Sequence, residues 1–182
     1  MEGDLERILL TADQLAGRVA ELGEQIAGDL DSAGPGRIVL VPILTGSIVF
    51  AADLIRRMPL KLSLGVVAVS SYPGQTMTSK GAHLRGEIPQ DLAGAHVLIV
   101  DDILDTGRTL ALVRDIIAEQ GPASLRICVL LRKEGRQQVD LEPEYVGFEI
   151  PDAFVVGYGL DYDGYYRNLP DIGVIAPPER SA

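Results

Sequence analysis

Cysteine occurs once in the 182 residues, as Cys128, so the chain cannot form an internal disulfide. Its setting, the apolar run LRICVLL (residues 125–131), marks it as a small core residue on a strand rather than a nucleophile. Histidine is nearly as scarce. His83 and His96 offer no zinc-type spacing, and His96, just ahead of a strand, reads as a surface residue. No apolar run approaches the ~20 residues that a membrane helix needs. The opening MEGDLERILL is acidic and lacks the basic flank and long apolar stretch of a secretory signal. A soluble, cytoplasmic protein with no membrane partner is the expectation. Positive charge is also in short supply: 16 Lys and Arg face 26 Asp and Glu, a net charge of -10 and a pI near 4.6. Such a surface repels a phosphate backbone and argues against a nucleic-acid partner. Phosphorylated small molecules remain open, because local backbone N–H groups and a bound metal can hold them.

The composition is that of an ordinary globular protein: 47% hydrophobic and 23% charged. The length suits one domain, large enough to bury roughly 70% of its unfolded surface. Thr11-Ala12-Asp13-Gln14 reads as a capping box, and Leu15, Val19, Leu22, Ile26 and Leu30 then recur at helical steps until Gly34-Pro35-Gly36. IVLVPIL (residues 38–44) reads as a buried strand, SIVFAADLIRR (47–57) as a helix, and residues 60–69 as another strand. Ser70 to Pro89 is rich in Gly, Ser, Thr and Pro and has no hydrophobic period, which predicts a long mobile loop with room for a short hairpin. HVLIV (96–100), the face Leu110, Val113, Ile116 and Ile117, and LRICVLL then make strand, helix and strand. That is a βαβ unit with parallel strands and a right-handed crossover. From Tyr145 to Ile175 come three short strand-like pieces, YVGFEI, FVVGYGL and IGVI, an appended edge or hood on an α/β core.

The chemistry concentrates in DDILDTGRT (residues 101–109). A buried strand presents Asp101, Asp102 and Asp105, after which Thr106, Gly107, Arg108 and Thr109 lead into a helix. Ligands of open parallel sheets bind outside the carboxyl ends of the strands, where this run must lie. Gly107 lets the backbone bend, Thr106 and Thr109 supply hydroxyls, and the new helix offers unpaired N–H groups, which together make a phosphate-sized anion site. The carboxylates upstream suit hydroxyls or a hydrated magnesium ion. Any one of these aspartates could simply cap a strand end or a helix. The whole run describes a ligand that carries both a phosphate and a sugar diol.

This run resembles the phosphoribosyl-pyrophosphate signature of type I phosphoribosyltransferases. A second run, VGFEIPDAFVVGYGLDYDGYYRNL (146–169), resembles the carboxyl-terminal hood of the hypoxanthine-guanine phosphoribosyltransferases. LTGS (44–47) stands at the place of that family's pyrophosphate loop, and Ser71-Tyr72 at its mobile-loop anchor. The likeness runs from about Val39 to Ile175. It implies an α/β type I phosphoribosyltransferase fold: a central, mostly parallel sheet flanked by helices, with a small C-terminal hood. Residues 1–182 would form one domain, with a core of about 36–135 and a hood from the N-terminal residues and about 136–182.

The resemblance also implies purine salvage: transfer of the 5-phosphoribosyl group from phosphoribosyl pyrophosphate to hypoxanthine or guanine. Asp101 and Asp102 would hold the ribose hydroxyls, directly and through Mg2+, and Thr106, Gly107, Arg108 and Thr109 the 5′-phosphate. Asp105 would be the general base. Lys133 would donate to the 6-oxo group, although between Arg132 and Glu134 a solvated charge is the plain reading of it. Phe154 would stack on the base and Val155 would offer backbone groups to its edge. Asp161 would position a second magnesium, and Arg167 would reach the pyrophosphate. Ser71 and Tyr72 would close over the site, while Tyr158 and Tyr162 pack. Thr45 stands where the family often has Lys, so Gly46 and Ser47 carry more of the expected pyrophosphate binding than the Thr45 side chain. The peptide before that position can be cis in the family. A homo-oligomer, dimer or tetramer, is implied. The contrasting reading is a phosphoribosyl-pyrophosphate-sensing regulator with little catalysis.

Overall fold

A computed structural model describes residues 4–70, 83–85 and 89–176 of the chain. The strongest local signals come first. Thr11 caps α1 (Ala12–Asp31) with the full reciprocal box: its side chain accepts from the Gln14 N–H, and the Gln14 side chain accepts from the Thr11 N–H. Such a cap contributes about 1 kcal/mol. Leu15, Val19, Leu22, Ile26 and Leu30, the apolar stripe of the sequence, form the buried face of this helix.

The main sheet is built from parallel runs of apolar residues. β2 (Ile38–Leu44), β6 (His96–Leu104), β7 (Ser124–Lys133) and β8 (Tyr145–Ile150) pair in that order, all parallel. Their side chains alternate between the two faces, as strand geometry demands. Leu40, Leu98, Val100, Cys128 and Leu130 face α1 and α2 (Ile48–Ile55). Val39, Val41, Val97, Ile99 and Val129 face α3 (Arg108–Ala118), through its Leu110, Val113 and Ile117. Three layers result, with a core on each side of the sheet.

Several elements differ from the sequence reading. Residues 60–69 form two strands, β3 (Leu62–Leu64) and β4 (Val67–Ser70), which pair with β2 in one continuous register, interrupted opposite Val41 and Pro42. The Leu40 carbonyl accepts from the Gly65 N–H at 2.9 Å, and the next β2 residue facing that side is Pro42, which has no N–H to donate. β5 (His83–Arg85) pairs antiparallel with β4, in keeping with the short hairpin for which the sequence reading left room. Residues 71–82 and 86–88, and with them Ser71 and Tyr72, lie outside the described residues. YVGFEI is β8, the edge strand of the main sheet, and the Arg18 guanidinium donates to it, from Nε to the Gly147 carbonyl and from a terminal nitrogen to the Val146 carbonyl. His96 is buried rather than exposed, 5% accessible, because it packs against Gly36 and exchanges a hydrogen bond with Ser124 at 2.8 Å.

A second sheet covers one end of the first. β1 (Leu5–Leu10), β10 (Ile172–Ile175) and β9 (Val155–Val156) pair antiparallel in the order β1-β10-β9. Asp171 fastens it to the core by accepting the Ala12 N–H at 2.7 Å, at the first residue of α1. FVVGYGL yields only the two residues of β9, since Gly157 with φ of 101° turns the chain. Among the described residues no helix is long and apolar enough to cross a membrane.

Leu98 lies fully buried at the centre of this arrangement. Leu98→Ala should lower the free energy of unfolding by about 2–5 kcal/mol. The same change at Leu64, 54% exposed, should cost less than about 1 kcal/mol. Urea denaturation of the two variants measures the contrast.

Candidate functional site

Strand β6 outruns its neighbour. Its pairing with β2 ends at Val100, opposite Pro42, while its pairing with β7 continues through Asp101, Ile103 and Leu104. The apolar part of the strand therefore ends where the sequence reading puts it, but the backbone stays extended for four more residues. A cleft of about 310 Å³ opens at this step. Its walls include Asp101, Asp102, Asp105, Thr106, Gly107, Thr109 and Gly46, together with Ile43, Leu44, Val69, Ile103 and Leu110. Seven of the sequence-derived site residues thus line one space.

Two close approaches shape the cleft. β2 leaves the sheet at Leu44, the Leu44–Thr45 peptide is cis, and the chain turns through Gly46 into α2. A Cβ at Gly46 would lie 1.7 Å from Asp102 Oδ2, and a Cβ at Gly159 would lie 2.2 Å from the Gly46 carbonyl oxygen. Carboxylate, loop and hood are stacked backbone to side chain, with no room for a methyl group at either glycine. On the far wall Gly107 has φ of 79°, a left-handed conformation that most residues resist, and α3 starts directly after it with Thr109 and Leu110 lining the cleft.

Asp101 is buried, and its Oδ1 accepts the Asp102 N–H at 3.0 Å. Burial, then the neighbouring Asp102 charge, pushes its carboxyl well above the ordinary range. Asp102 is raised too, chiefly by burial, with the hydrogen bond from Asp101 and the Arg167 guanidinium among the influences pulling it down. Two adjacent, poorly solvated carboxylates are a fit setting for a cation or for hydroxyl donors. Among the described residues no group of three or more His, Cys, Asp or Glu converges as a metal site. The pair therefore suits an ion that brings most of its oxygen ligands with it, as magnesium on a phosphorylated ligand does.

The other expected residues surround the cleft at different depths. Thr45 is exposed. Ser47 is fully buried and its hydroxyl donates to the Ile43 carbonyl at 2.5 Å, so it braces the turn and has its backbone N–H to offer a ligand. The Arg108 side chain turns away to Gln138. Arg167 donates to the Gly159 carbonyl at 2.7 Å and pairs with Asp161 at 2.7 Å, while the second Asp161 oxygen accepts the Gly164 N–H. Phe154 is 40% exposed, with Tyr162 set edge-on against it at a centroid distance of 5.6 Å. Ile175 N–H donates to the Phe154 carbonyl, so strand alternation leaves the Val155 N–H and carbonyl on the open edge of the hood sheet. Tyr158 packs in the core and donates to Asp53.

Lys133, at the end of β7, pairs with Asp152 at 3.4 Å. Asp105 pairs with Arg136 at 2.9 Å. Neither Arg136 nor Asp152 stood out in the sequence, where both sit among mixed charges with no diagnostic spacing. Gly159 was visible only as one of several glycines in the hood.

The chain matches the phosphoribosyl transferase domain family over residues 8–163. It is 43% identical to the hypoxanthine-guanine phosphoribosyltransferase of Mycobacterium bovis over 178 residues, 96% of this chain and 88% of that one. It is 41% identical to the protein of the same name from Streptococcus pneumoniae, covering 96% of each. A solved hypoxanthine phosphoribosyltransferase from Staphylococcus aureus superposes with a TM-score of 0.88 at 41% identity, over 97% of this chain and 95% of that one.

The raised carboxyls carry a pH signature. A folded state that binds protons more tightly than the unfolded one is favoured at low pH, and it loses that advantage as pH rises past the ordinary carboxylate range. Asp101→Asn removes the burden at neutral pH. The ligand-free variant should melt at a higher temperature than the parent at pH 7, with the gap closing as pH falls toward 4. Thermal unfolding followed across that range checks both the sign and the trend.

Proposed function

We propose that this chain, which belongs to the phosphoribosyltransferase family, transfers the 5-phosphoribosyl group of phosphoribosyl pyrophosphate to hypoxanthine or guanine and releases pyrophosphate. The observation that carries this reading is the cleft itself: one buried and one half-buried carboxylate beside a Thr-Gly-Arg-Thr helix start, closed by a loop with no side chain at Gly46. That combination fits a ligand with a diol at one end and a phosphate at the other.

In this reading the 5′-phosphate sits at the N–H groups and hydroxyls of Thr106 to Thr109, with Arg108 contributing its backbone alone. Asp101 and Asp102 hold the ribose hydroxyls, and they would also hold magnesium. A magnesium ion held there would supply positive charge for the leaving pyrophosphate. The backbone of Thr45, Gly46 and Ser47 receives the pyrophosphate. Arg167 supplies the cation that Thr45 does not, by exchanging its Asp161 partner for the ligand, and Asp161 is then available to a second magnesium. Ser71 and Tyr72 remain the candidates for covering the site.

The base lies on Phe154, whose ring Tyr162 braces, with its pyrimidine edge toward the free backbone groups of Val155. Lys133 donates to the 6-oxo oxygen. As the bond from C1 of the ribose to pyrophosphate breaks, the electron pair leaves with pyrophosphate and a ring nitrogen of the purine bonds to that carbon. The proton on the purine's five-membered ring passes to Asp105. Orientation and electrostatics do most of the work. The reaction has no need of nucleic acid or membrane.

A panel of hypoxanthine, guanine, xanthine, adenine and uracil with magnesium and phosphoribosyl pyrophosphate tests the reading. The 6-oxopurines should turn over and adenine should not, since its amino group presents a donor to the Lys133 donor. Use of adenine at the rate of hypoxanthine would remove Lys133 from the base site. Asp105→Asn should keep donor affinity and lower turnover by ~10²–10⁴-fold, the range for a lost general base. Steady-state kinetics beside calorimetric donor binding separates the two effects.

A further inference from the structure

The segment between β7 and β8 is fastened to the cleft wall at Thr106, and its Arg136 joins a line of alternating charge that starts at Asp105 and ends at Lys133. Asp105 Oδ1 accepts from Arg136 Nε at 2.9 Å. The same nitrogen is 3.6 Å from Asp152 Oδ1, and that oxygen is 3.4 Å from Lys133 Nζ. We propose that Arg136 is a positioning residue: it fixes the Asp105 carboxylate and, through Asp152, sets the span between Asp105 and Lys133. The proposal rests on the reading of Asp105 as proton acceptor and Lys133 as donor to the 6-oxo group.

Purine chemistry requires such a span. The 6-oxo oxygen and the adjacent ring nitrogen N7 lie on one edge of a 6-oxopurine. A donor for the first and an acceptor for the second must therefore stand at a set separation, on residues 28 positions apart in the chain and at the ends of neighbouring strands. Asp105 alone cannot hold its side of that geometry, because the terminal torsion of an aspartate is broad and roughly two-fold. The Arg136 bond takes Oδ1 and leaves Oδ2 for the ligand. Arg136 is itself held between two backbone anchors: Glu134 N–H donates to the Ile150 carbonyl at 2.9 Å, and Gln138 N–H to the Thr106 carbonyl at 3.0 Å. The second anchor fastens the segment to the phosphate-binding run, so base site and phosphate site share one support.

A purely structural role fits poorly. The Arg136 and Asp105 side chains are 43% and 38% exposed, and solvent-screened ion pairs of that kind contribute little to stability. Removing Arg136 should leave the fold nearly untouched and still disturb the reaction.

Arg136→Gln, Asp105→Asn and the double variant form the test, with kcat, the KM for hypoxanthine, calorimetric affinity for phosphoribosyl pyrophosphate with magnesium, and the melting temperature as readouts. Arg136→Gln should lower kcat/KM for hypoxanthine by about 10–100-fold, the scale of a misplaced reacting group. Donor affinity and melting temperature should stay at the parent values. In the Asp105→Asn background the same change should lower kcat no further, because the group it orients is gone. Losses that multiply in the double variant overturn the proposal, as does a fall in donor affinity that matches the fall in kcat. If Asp105→Asn is impaired and Arg136→Gln is not, this proposal fails and the underlying function stands. If Asp105→Asn turns over like the parent, the role of Asp105 fails and this proposal with it.

Discussion

Much of the site hangs on a steric condition: two stretches of backbone and one carboxylate meet where no Cβ can stand. Gly46 lies under Asp102, and Gly159 lies on the Gly46 carbonyl. This contact brings the end of β2, the end of β6 and the hood to one point. Without it the carboxylates would face open solvent, and Arg167 in the hood would have no reason to lower the Asp102 carboxyl. The contact also holds together a pair of acids whose carboxyls are both raised by lost hydration. The sheet brings them there by running β6 past β2, and the β7 pairing keeps the backbone hydrogen-bonded while the side chains lose their water.

Around that point the labour is divided by element type. Rigid strands carry the acids and Lys133. A helix start, with Thr109 and Leu110, lines the cleft beside them. The hood carries the exposed Phe154 ring and the Arg167 guanidinium. Side chains that the turn itself needs are withheld from the ligand, as the Ser47 hydroxyl is by the Ile43 carbonyl. Under the proposed function the Thr45 departure is tolerable in physical terms, since the loop's backbone would do the receiving and Arg167 would supply the cation.

How much of this could be read from the chain varied with the range of the interactions. The α1 stripe, its cap, and the strand–helix–strand run around residues 96–131 were legible because they rest on local periodicity and turn chemistry. The extension of β6 was not, because carboxylates end the apolar run while the β7 partner, which keeps the backbone extended, is invisible in a single sequence. The break between β3 and β4 depends on Pro42, more than twenty residues earlier, and on the side to which its missing N–H would point. His96 was misread for the same reason: its cover is Gly36 and Ser124, neither of them adjacent. β1 escaped notice because its partner is β10. In the site, the phosphate run and the hood motif were legible as motifs, and Arg136 and Asp152 were not, since each acquires meaning only when β7 and β8 lie side by side.

The pairing of β1 with β10 sets an order of events during synthesis. Leu5 finds its neighbour at Ile175, so β1, made before every strand of the main sheet, is housed after them. Until residues 172–175 emerge, β1 and β9 have no sheet to join, and the Asp171 clasp on α1 does not exist. The main sheet has no such wait, since its parallel strands and their helices lie between residues 12 and 150. A nascent chain can therefore complete the Asp101–Thr109 wall of its cleft while the hood is still a tail. The closing of so long a loop, slow on entropic grounds, is deferred until a folded core is there to receive it.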